Sequence, residues 1–180
     1  VNSLLRRRSP AMTTLHPWHQ TQLELRARTR EPGVESVEAL AGMSGLEFLQ
    51  AIVRGTVPDP PITRTLDFYL LEAEHGRAVF QGLPAFGHYN PIATVHGGWH
   101  ATLLDSAMAC AVQSIVERGR AYTTLEFKIH CVRPLTDQTG PVRAEGKVVA
   151  SGRRMATAEG RLVGPDGKLY FTIGCPGVGT

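Results

Sequence analysis

The stretch HGGWHATLLDSAMACAVQSIVERG, residues 96–119, decides the fold that we expect for this chain. It contains no proline, and apolar side chains recur at helical spacing from Ala101 to Ile115. Gly119 is a suitable C-terminal stop. We therefore predict one long helix that is apolar nearly all round, and such a helix must be covered by other elements.

Strand-like segments lie on both sides of this helix in the sequence. The two that precede it flank the dipeptide His75–Gly76, which suits a hairpin turn. The predicted strands are residues 66–74, 77–83, 122–132, 141–150, 154–163 and 168–174. We expect an α+β fold in which a curved antiparallel sheet of about six strands wraps one long central helix.

The strand predicted directly after the helix has a period of two residues. Leu125, Phe127, Ile129 and Cys131 alternate with polar side chains. Successive side chains of a strand point to opposite faces of the sheet. The pattern predicts that these four residues form a buried face.

The chain before residue 44 is polar and interrupted by prolines. We expect residues 1–43 to be a partly disordered tail with a short helix near residues 20–30. Ser44, with Glu47 three positions later, predicts a capping box at the start of a short helix. Residues 44–180 are then expected to form a single domain.

Composition excludes several classes of protein. The chain has 180 residues, of which 42% are hydrophobic and 19% charged, and its net charge of +3 is too small for a nucleic-acid-binding protein. No apolar run has the length of a membrane span, and no secretory signal is evident. Three separated cysteines without a CxxC motif indicate reduced thiols and a cytoplasmic location.

Asp105 is a charged residue within a predicted helix that is mostly apolar. Its neighbours include Leu103, Leu104, Ala107 and Met108. An ionised carboxylate in an apolar core is costly unless it is paired or has a function. Because we expect the helix to be buried throughout, we interpret Asp105 as a functional group.

Gly97 and Gly98 stand where the preceding loop becomes helix. The first N–H groups of a helix lack internal partners and carry the positive end of its dipole. Without a Cβ, a carbonyl group can approach this backbone closely. The arrangement suits stabilisation of an oxyanion in acyl transfer, although a glycine pair can also serve only a tight turn.

The spacing of Gly97 and Asp105 predicts an assembly. Eight residues of helix separate them by roughly 12 Å along the axis. One small reacting group cannot touch both on a single helix. Two antiparallel copies about a twofold axis would bring them together, so we expect an isologous dimer with composite sites.

Three stretches carry a resemblance to a known family: NPIATVHGGWHATLLDSAMACAV, YTTLEFKIHCVRP and GPVRAEGKVVASGRRMATAEGRLVGPDGKLY. They resemble the hotdog-fold acyl-CoA thioesterases of the PaaI type over roughly residues 44–173. The signature positions of that family are intact as Asn90, His96, Gly97, Gly98 and Asp105.

The resemblance implies a catalytic role for each signature position. The Gly97 N–H would polarise the thioester carbonyl, and Asn90 and His96 would orient the loop and the thioester. Asp105 from the partner chain would act as general base or as nucleophile. A hydroxyl residue at the start of the next strand falls on Thr124.

The resemblance also implies the substrate contacts. Gly98 and Thr123 lie beside the catalytic positions, and Arg153 and Arg154 are candidates for the phosphates of CoA. Trp99 either walls the acyl pocket or belongs to the core. The substrate would be an aryl- or medium-chain acyl-CoA, with no cofactor, since CoA is part of the substrate. The expected partners are further copies, as a homodimer or a homotetramer built of dimers, and neither nucleic acid nor membrane.

Two other functions stay open, a non-catalytic acyl-CoA-binding module and a hotdog hydratase or dehydratase. His96 and His100 have the spacing of a zinc pair, but position 97 holds glycine where HExxH needs glutamate, so we expect no metal. Serine-hydrolase and phosphate-loop motifs are absent from the sequence.

Overall fold

A computed structural model describes residues 16–28 and 31–179, with side chains described up to residue 173. Five α-helices are present in these ranges: α1 (Pro17–Arg28), α2 (Val37–Ala41), α3 (Gly45–Val53), α4 (Pro61–Leu66) and α5 (Gly97–Gln113). Two short 3₁₀ turns lie at Phe86–His88 and Asp137–Thr139. In the described part of the chain, no helix is long and apolar enough to cross a membrane.

Six strands form one antiparallel sheet around α5. Their bounds are β1 (Phe68–Glu74), β2 (Arg77–Gly82), β3 (Thr123–Cys131), β4 (Val142–Ser151), β5 (Met155–Val163) and β6 (Leu169–Gly179). Their order is β1-β2-β4-β5-β6-β3, so that β3 is the last strand of the sheet. The prediction of an α+β hotdog fold with one central helix and about six strands is confirmed.

Glycines allow α5 to lie close against its neighbours. A Cβ added to Gly146 of β4 would lie 2.3 Å from the carbonyl oxygen of Ala107. A Cβ added to Gly45 of α3 would lie 1.8 Å from that of Gln113. Neither position can accept a larger residue without a shift of the backbone, because such contacts are far inside van der Waals separation.

The capping box and the hairpin are as predicted. Ser44 Oγ accepts from the Glu47 amide, and the Glu47 carboxylate accepts from the Ser44 amide at 2.8 Å. In the hairpin, Glu74 pairs with Arg77, and Gly76 takes the left-handed conformation with φ 76°. Local turn chemistry was therefore sufficient to place both features.

The end of α5 was predicted wrongly. The helix ends at Gln113, with Ser114 as its C-cap, and does not continue to Gly119. The Ser114 hydroxyl donates to the Ala111 carbonyl and accepts from the Gly76 amide, both at 2.7 Å. This tertiary contact with the hairpin ends the helix before any glycine is reached.

The sequence interpretation did not include the helix at Pro61–Leu66, and it placed Leu66 in the following strand. Pro60 is extended and Pro61 takes the first helical position, where its fixed φ and missing N–H are tolerated. Asp67 ends the helix in the left-handed region, with φ 52°. Two consecutive prolines thus begin this helix.

The predicted buried face of β3 is wrong for the single chain. Leu125 is 57% exposed and Phe127 is 39% exposed, and Cys131 is exposed as well. Only Ile129 of this set packs against the core. The reason is the position of β3, because the last strand of a sheet has one neighbouring strand and here lies at the margin of the helix.

The helix expected near residues 20–30 is observed as α1, which packs against the body. Gln22 is buried and its side-chain oxygen accepts from Gln81 of β2 at 3.1 Å. Arg28 forms an ion pair with buried Asp59 at 3.0 Å. Residues 1–15 of the predicted tail lie outside the described residues, and the proposed domain boundary at residue 44 stays a prediction.

Candidate active site

Asp105 lies on a face of α5 that the rest of the chain covers only in part. Leu104 and Met108 on the same helix are buried in the core, whereas Asp105 is half-buried. The expectation that the helix is covered on all sides is therefore wrong. The carboxylate is not a charge in an apolar core, and it stands at the wall of an open pocket of about 400 Å³.

A hydroxyl group from β3 fixes this carboxylate. Thr124 Oγ1 donates to Asp105 Oδ1 at 2.9 Å. Thr123, the other hydroxyl residue that we singled out, lines the same pocket. One oxygen of Asp105, Oδ1, is thus held by the start of β3.

The N-terminus of α5 presents one free amide. His96 is the N-cap, and its Nδ1 accepts from the Gly98 amide at 2.9 Å. The Gly97 amide has no acceptor among the residues that the structure describes. Both glycines are exposed, and a Cβ on Gly97 would meet nothing closer than His100 Nε2 at 3.8 Å. Packing within the chain therefore does not require glycine at position 97.

Asn90 holds the loop that leads to this helix. Its Oδ1 accepts from the amides of Ile92 and Thr94 at 3.0 and 3.2 Å, and its Nδ2 donates to Thr94 Oγ1 at 2.8 Å. Ala93 between them takes a left-handed conformation with φ 62°. The Asn90 side chain thereby stabilises a strained loop next to the Gly97 amide.

Gly97 and Asp105 belong to different pockets of the chain. The Gly97 pocket is also lined by Asn90 and has a volume of about 360 Å³. It shares no lining residue with the pocket of Asp105. The two groups also lie roughly 12 Å apart along one helix. The fold does not bring them together within one chain.

His100 is a residue of the Gly97 pocket that the sequence interpretation treated only as half of a zinc pair. It is 3% exposed and stacks on Phe171 with 3.5 Å between the ring centroids. Neither ring nitrogen has a hydrogen-bond partner among the described residues. Burial, and less strongly the neighbouring His96, lowers the pKa of His100 to about 4. The ring is therefore neutral at physiological pH.

Three predicted substrate contacts lie away from the two pockets. Trp99 is 3% exposed in the core and its Nε1 donates to the Leu66 carbonyl at 2.8 Å, which supports the core alternative. Arg153 and Arg154 are exposed in the turn between β4 and β5 and line neither pocket. Arg133, which we did not single out, does line the Gly97 pocket.

Comparison with known proteins shows the class of domain to which this chain belongs. The model of the thioesterase superfamily matches residues 93–171, which include Gly97, Asp105 and Thr124. The comparison with curated proteins gave no match. The matched segment defines the class as a thioesterase-superfamily domain.

Solved structures narrow the class to a family. A mutant of the phenylacetic acid degradation protein PaaI from Thermus thermophilus is 31% identical, with 66% of this chain and 96% of that chain covered and a TM-score of 0.58. The chain therefore belongs to the PaaI-type hotdog-fold thioesterase family.

Two further structures share the fold. A phenylacetic acid degradation-related protein from Ralstonia eutropha JMP134 is 24% identical, with 74% of this chain and 99% of that chain covered and a TM-score of 0.66. The E. coli PaaI protein from the phenylacetic acid degradation operon is 20% identical, with 76% and 94% covered and a TM-score of 0.64.

Proposed function

We propose that this protein hydrolyses acyl-CoA thioesters to the free acid and CoA. The observation that carries the proposal is the pair of groups on α5: an amide at Gly97 without an acceptor in the described residues, and a carboxylate at Asp105 held by Thr124. The Gly97 amide is a hydrogen-bond donor for a developing oxyanion, and the Asp105 carboxylate is a base that takes a proton from water. Neither role needs a metal or an organic cofactor.

The free edge of β3 supplies the geometry that joins these groups. Thr124 at the start of β3 contacts Asp105, and Cys131 at its end lines the Gly97 pocket. Seven residues of strand separate the two ends by about 24 Å. If two β3 edges pair antiparallel about a twofold axis, the start of one strand lies beside the end of the other.

A dimer of this kind places the Asp105 carboxylate of one protomer at the Gly97 amide of its partner. The exposed apolar side chains of Leu125 and Phe127 support the same surface as an interface, because they would be covered on association. The proposal is therefore a homodimer with two composite sites, which leaves room for a dimer of dimers.

The proposed reaction has two steps, the addition of water to the thioester and the loss of the CoA thiol. Asp105 Oδ2 takes a proton from water while the water oxygen bonds to the thioester carbon, and the carbonyl π electrons move to the oxygen at the Gly97 N–H. Collapse of the tetrahedral intermediate breaks the C–S bond. The proton on Asp105 passes to the CoA sulfur, so that acid and thiol leave and the carboxylate is restored.

The acyl group is proposed to be aryl or medium-chain. The support for an aryl group is similarity to the phenylacetic acid degradation protein PaaI of Thermus thermophilus. Arg153 and Arg154 as contacts for CoA phosphates, and a cytoplasmic location, stay predictions.

The experiment that tests this function is a panel of acyl-CoAs with the released thiol measured, in wild type and in Asp105→Asn. We expect turnover in wild type and a loss of about 100-fold or more in the variant, because the amide keeps the shape but not the basicity. Asp166→Asn, in an exposed turn, is the matched control. Binding without turnover would show a non-catalytic module, and undiminished turnover in Asp105→Asn would exclude the base.

A further inference from the structure

An apolar cavity lies behind the Asp105 pocket, between α3, the first two strands and residues 33–40. Its volume is about 270 Å³. The apolar lining comes from Phe48, Leu49, Ile52, Val57, Leu70 and Phe80. The segment before α3 contributes Gly33, Val34, Glu35 and Leu40 to the lining.

This cavity adjoins the Asp105 pocket. Phe80, Cys110 and Tyr122 line both spaces, as do Pro60 and Thr63. These five side chains form the wall between the Asp105 pocket and the interior, and a group that enters from Asp105 would have to pass them. Ligand pockets are commonly of this kind, apolar with a few polar groups at one end.

Apart from Glu35, which also lines the cavity, the polar groups around it are uncharged or paired. Burial, together with the charge of Asp105, raises the pKa of the Cys110 thiol to about 12. Burial raises the pKa of Tyr122 well above its ordinary value. Asp59 forms an ion pair with Arg28 at 3.0 Å. At neutral pH the cavity thus favours an apolar group over a charged one.

We propose that this cavity holds the acyl group of the substrate and that Phe48 sets the largest acyl group it accepts. The inference rests on the proposed function, since it takes Asp105 as the reacting end. A cavity of about 150 Å³ can hold benzene, so about 270 Å³ accepts an aromatic ring with a short linker or a medium alkyl chain.

Phe48 of α3 is one of the residues that line the cavity. It also lines a second space of about 390 Å³ beneath α2, which is bordered by Val37, Met43 and Val116. Together with Leu40, Gln113 and Tyr122, its side chain forms the wall that the two spaces share. Removal of the Phe48 ring would join the two spaces, and a larger ring at this position would shorten the apolar cavity.

The test is the affinity of non-hydrolysable S-alkyl-CoA thioethers, from ethyl to dodecyl with a phenylethyl analogue, measured by calorimetry. In wild type we expect Kd to tighten by about fourfold for each methylene that enters the cavity and then to level off at a medium length. Phe48→Ala should move that plateau to longer chains, and Phe48→Trp to shorter ones.

Leu46→Ala is the matched control, because Leu46 is half-buried on the same helix and lines neither space. It should leave the plateau length unchanged. If Phe48→Ala does not fold, Phe48→Trp and Phe48→Leu still test opposite directions. Affinity that is independent of alkyl length, or a plateau that is the same in all variants, would overturn the inference. Because binding is measured, that result is distinct from an absence of thioester hydrolysis, which would refute the function instead.

Discussion

Thr124 of β3 donates a hydrogen bond of 2.9 Å to Asp105 of the central helix α5. The contact joins the exposed edge of the sheet to the outer face of α5. Because one carboxylate oxygen is held there, the other has a defined direction. The proposed chemistry depends on this direction as much as on the presence of the carboxylate.

Thr124 is therefore expected to act as a positioning residue for Asp105. Thr124→Val keeps the shape of the side chain and removes the donor, and we expect kcat to fall by about tenfold with little change in KM, since an oriented base contributes chiefly to the chemical step. Thr124→Ser should restore most of the activity. Equal losses in the valine and serine variants would show that Thr124 acts through packing alone.

The Gly97 amide can be removed without breaking the helix. Gly97 is the first helical residue, where proline is favoured, and His96 before it has φ −60° and ψ 139°, the conformation that proline requires of its predecessor. We expect Gly97→Pro to lower kcat/KM by about 100-fold or more through loss of the oxyanion donor.

Gly97→Ala is the control for that variant. It keeps the N–H, and its Cβ would meet no atom of the chain closer than 3.8 Å. Thermal unfolding of the two variants should be similar. If alanine lowers kcat/KM as much as proline does, the loss reflects steric exclusion of the substrate and not the missing amide.

His100 should make the stability of the protein depend on pH. Its pKa is lowered to about 4 in the fold, and an unfolded histidine titrates near 6.5, so the unfolded state binds more protons between these values. The contribution of His100 to the free energy of unfolding is thus fully present above pH 6.5 and falls by about 3 kcal/mol as the pH drops to 4.

His100→Phe removes this contribution while it keeps a ring against Phe171. The free energy of unfolding, measured by chemical denaturation between pH 4 and 7, should depend less steeply on pH than it does in wild type. His88, whose pKa is also lowered by burial, should account for part of the slope that remains. His75→Asn, on the exposed hairpin turn, serves as control. An unchanged slope in His100→Phe would contradict the assignment.

The exposed face of β3 is expected to be the dimer interface. Leu125→Glu combined with Phe127→Glu places like charges where two copies would meet, and we expect monomers by sedimentation with loss of thioesterase activity. Leu23→Glu on α1, also an exposed apolar residue, should leave the assembly intact. An active monomer would refute the composite site.

The sequence was sufficient for the fold because its signals are local. The spacing of apolar residues in α5, the Ser44 capping box and the His75–Gly76 turn each specify an element without reference to distant parts of the chain. The end of α5 could not be predicted in this way. It depends on the Ser114 hydroxyl meeting the hairpin, which is a tertiary contact.

The site was predicted less completely. Asp105 was singled out for an incorrect reason, because the helix was taken to be covered on every side, whereas the carboxylate is half-buried on its open face. The alternation in β3 implied a covered surface, but a single sequence does not say whether the cover is the same chain or a second copy. His100 was undervalued because only the fold shows that its nitrogens lack partners among the described residues.

Subunit complementation tests the central claim most directly. Asp105→Asn and Gly97→Pro are each expected to be nearly inactive, and the two are mixed under conditions that allow subunit exchange. If Asp105 of one protomer serves Gly97 of its partner, an equal mixture should recover about one quarter of wild-type activity, since each composite site needs one intact contribution from each variant. Activity no higher than that of the separate variants, with exchange verified by mass spectrometry, would contradict the composite site.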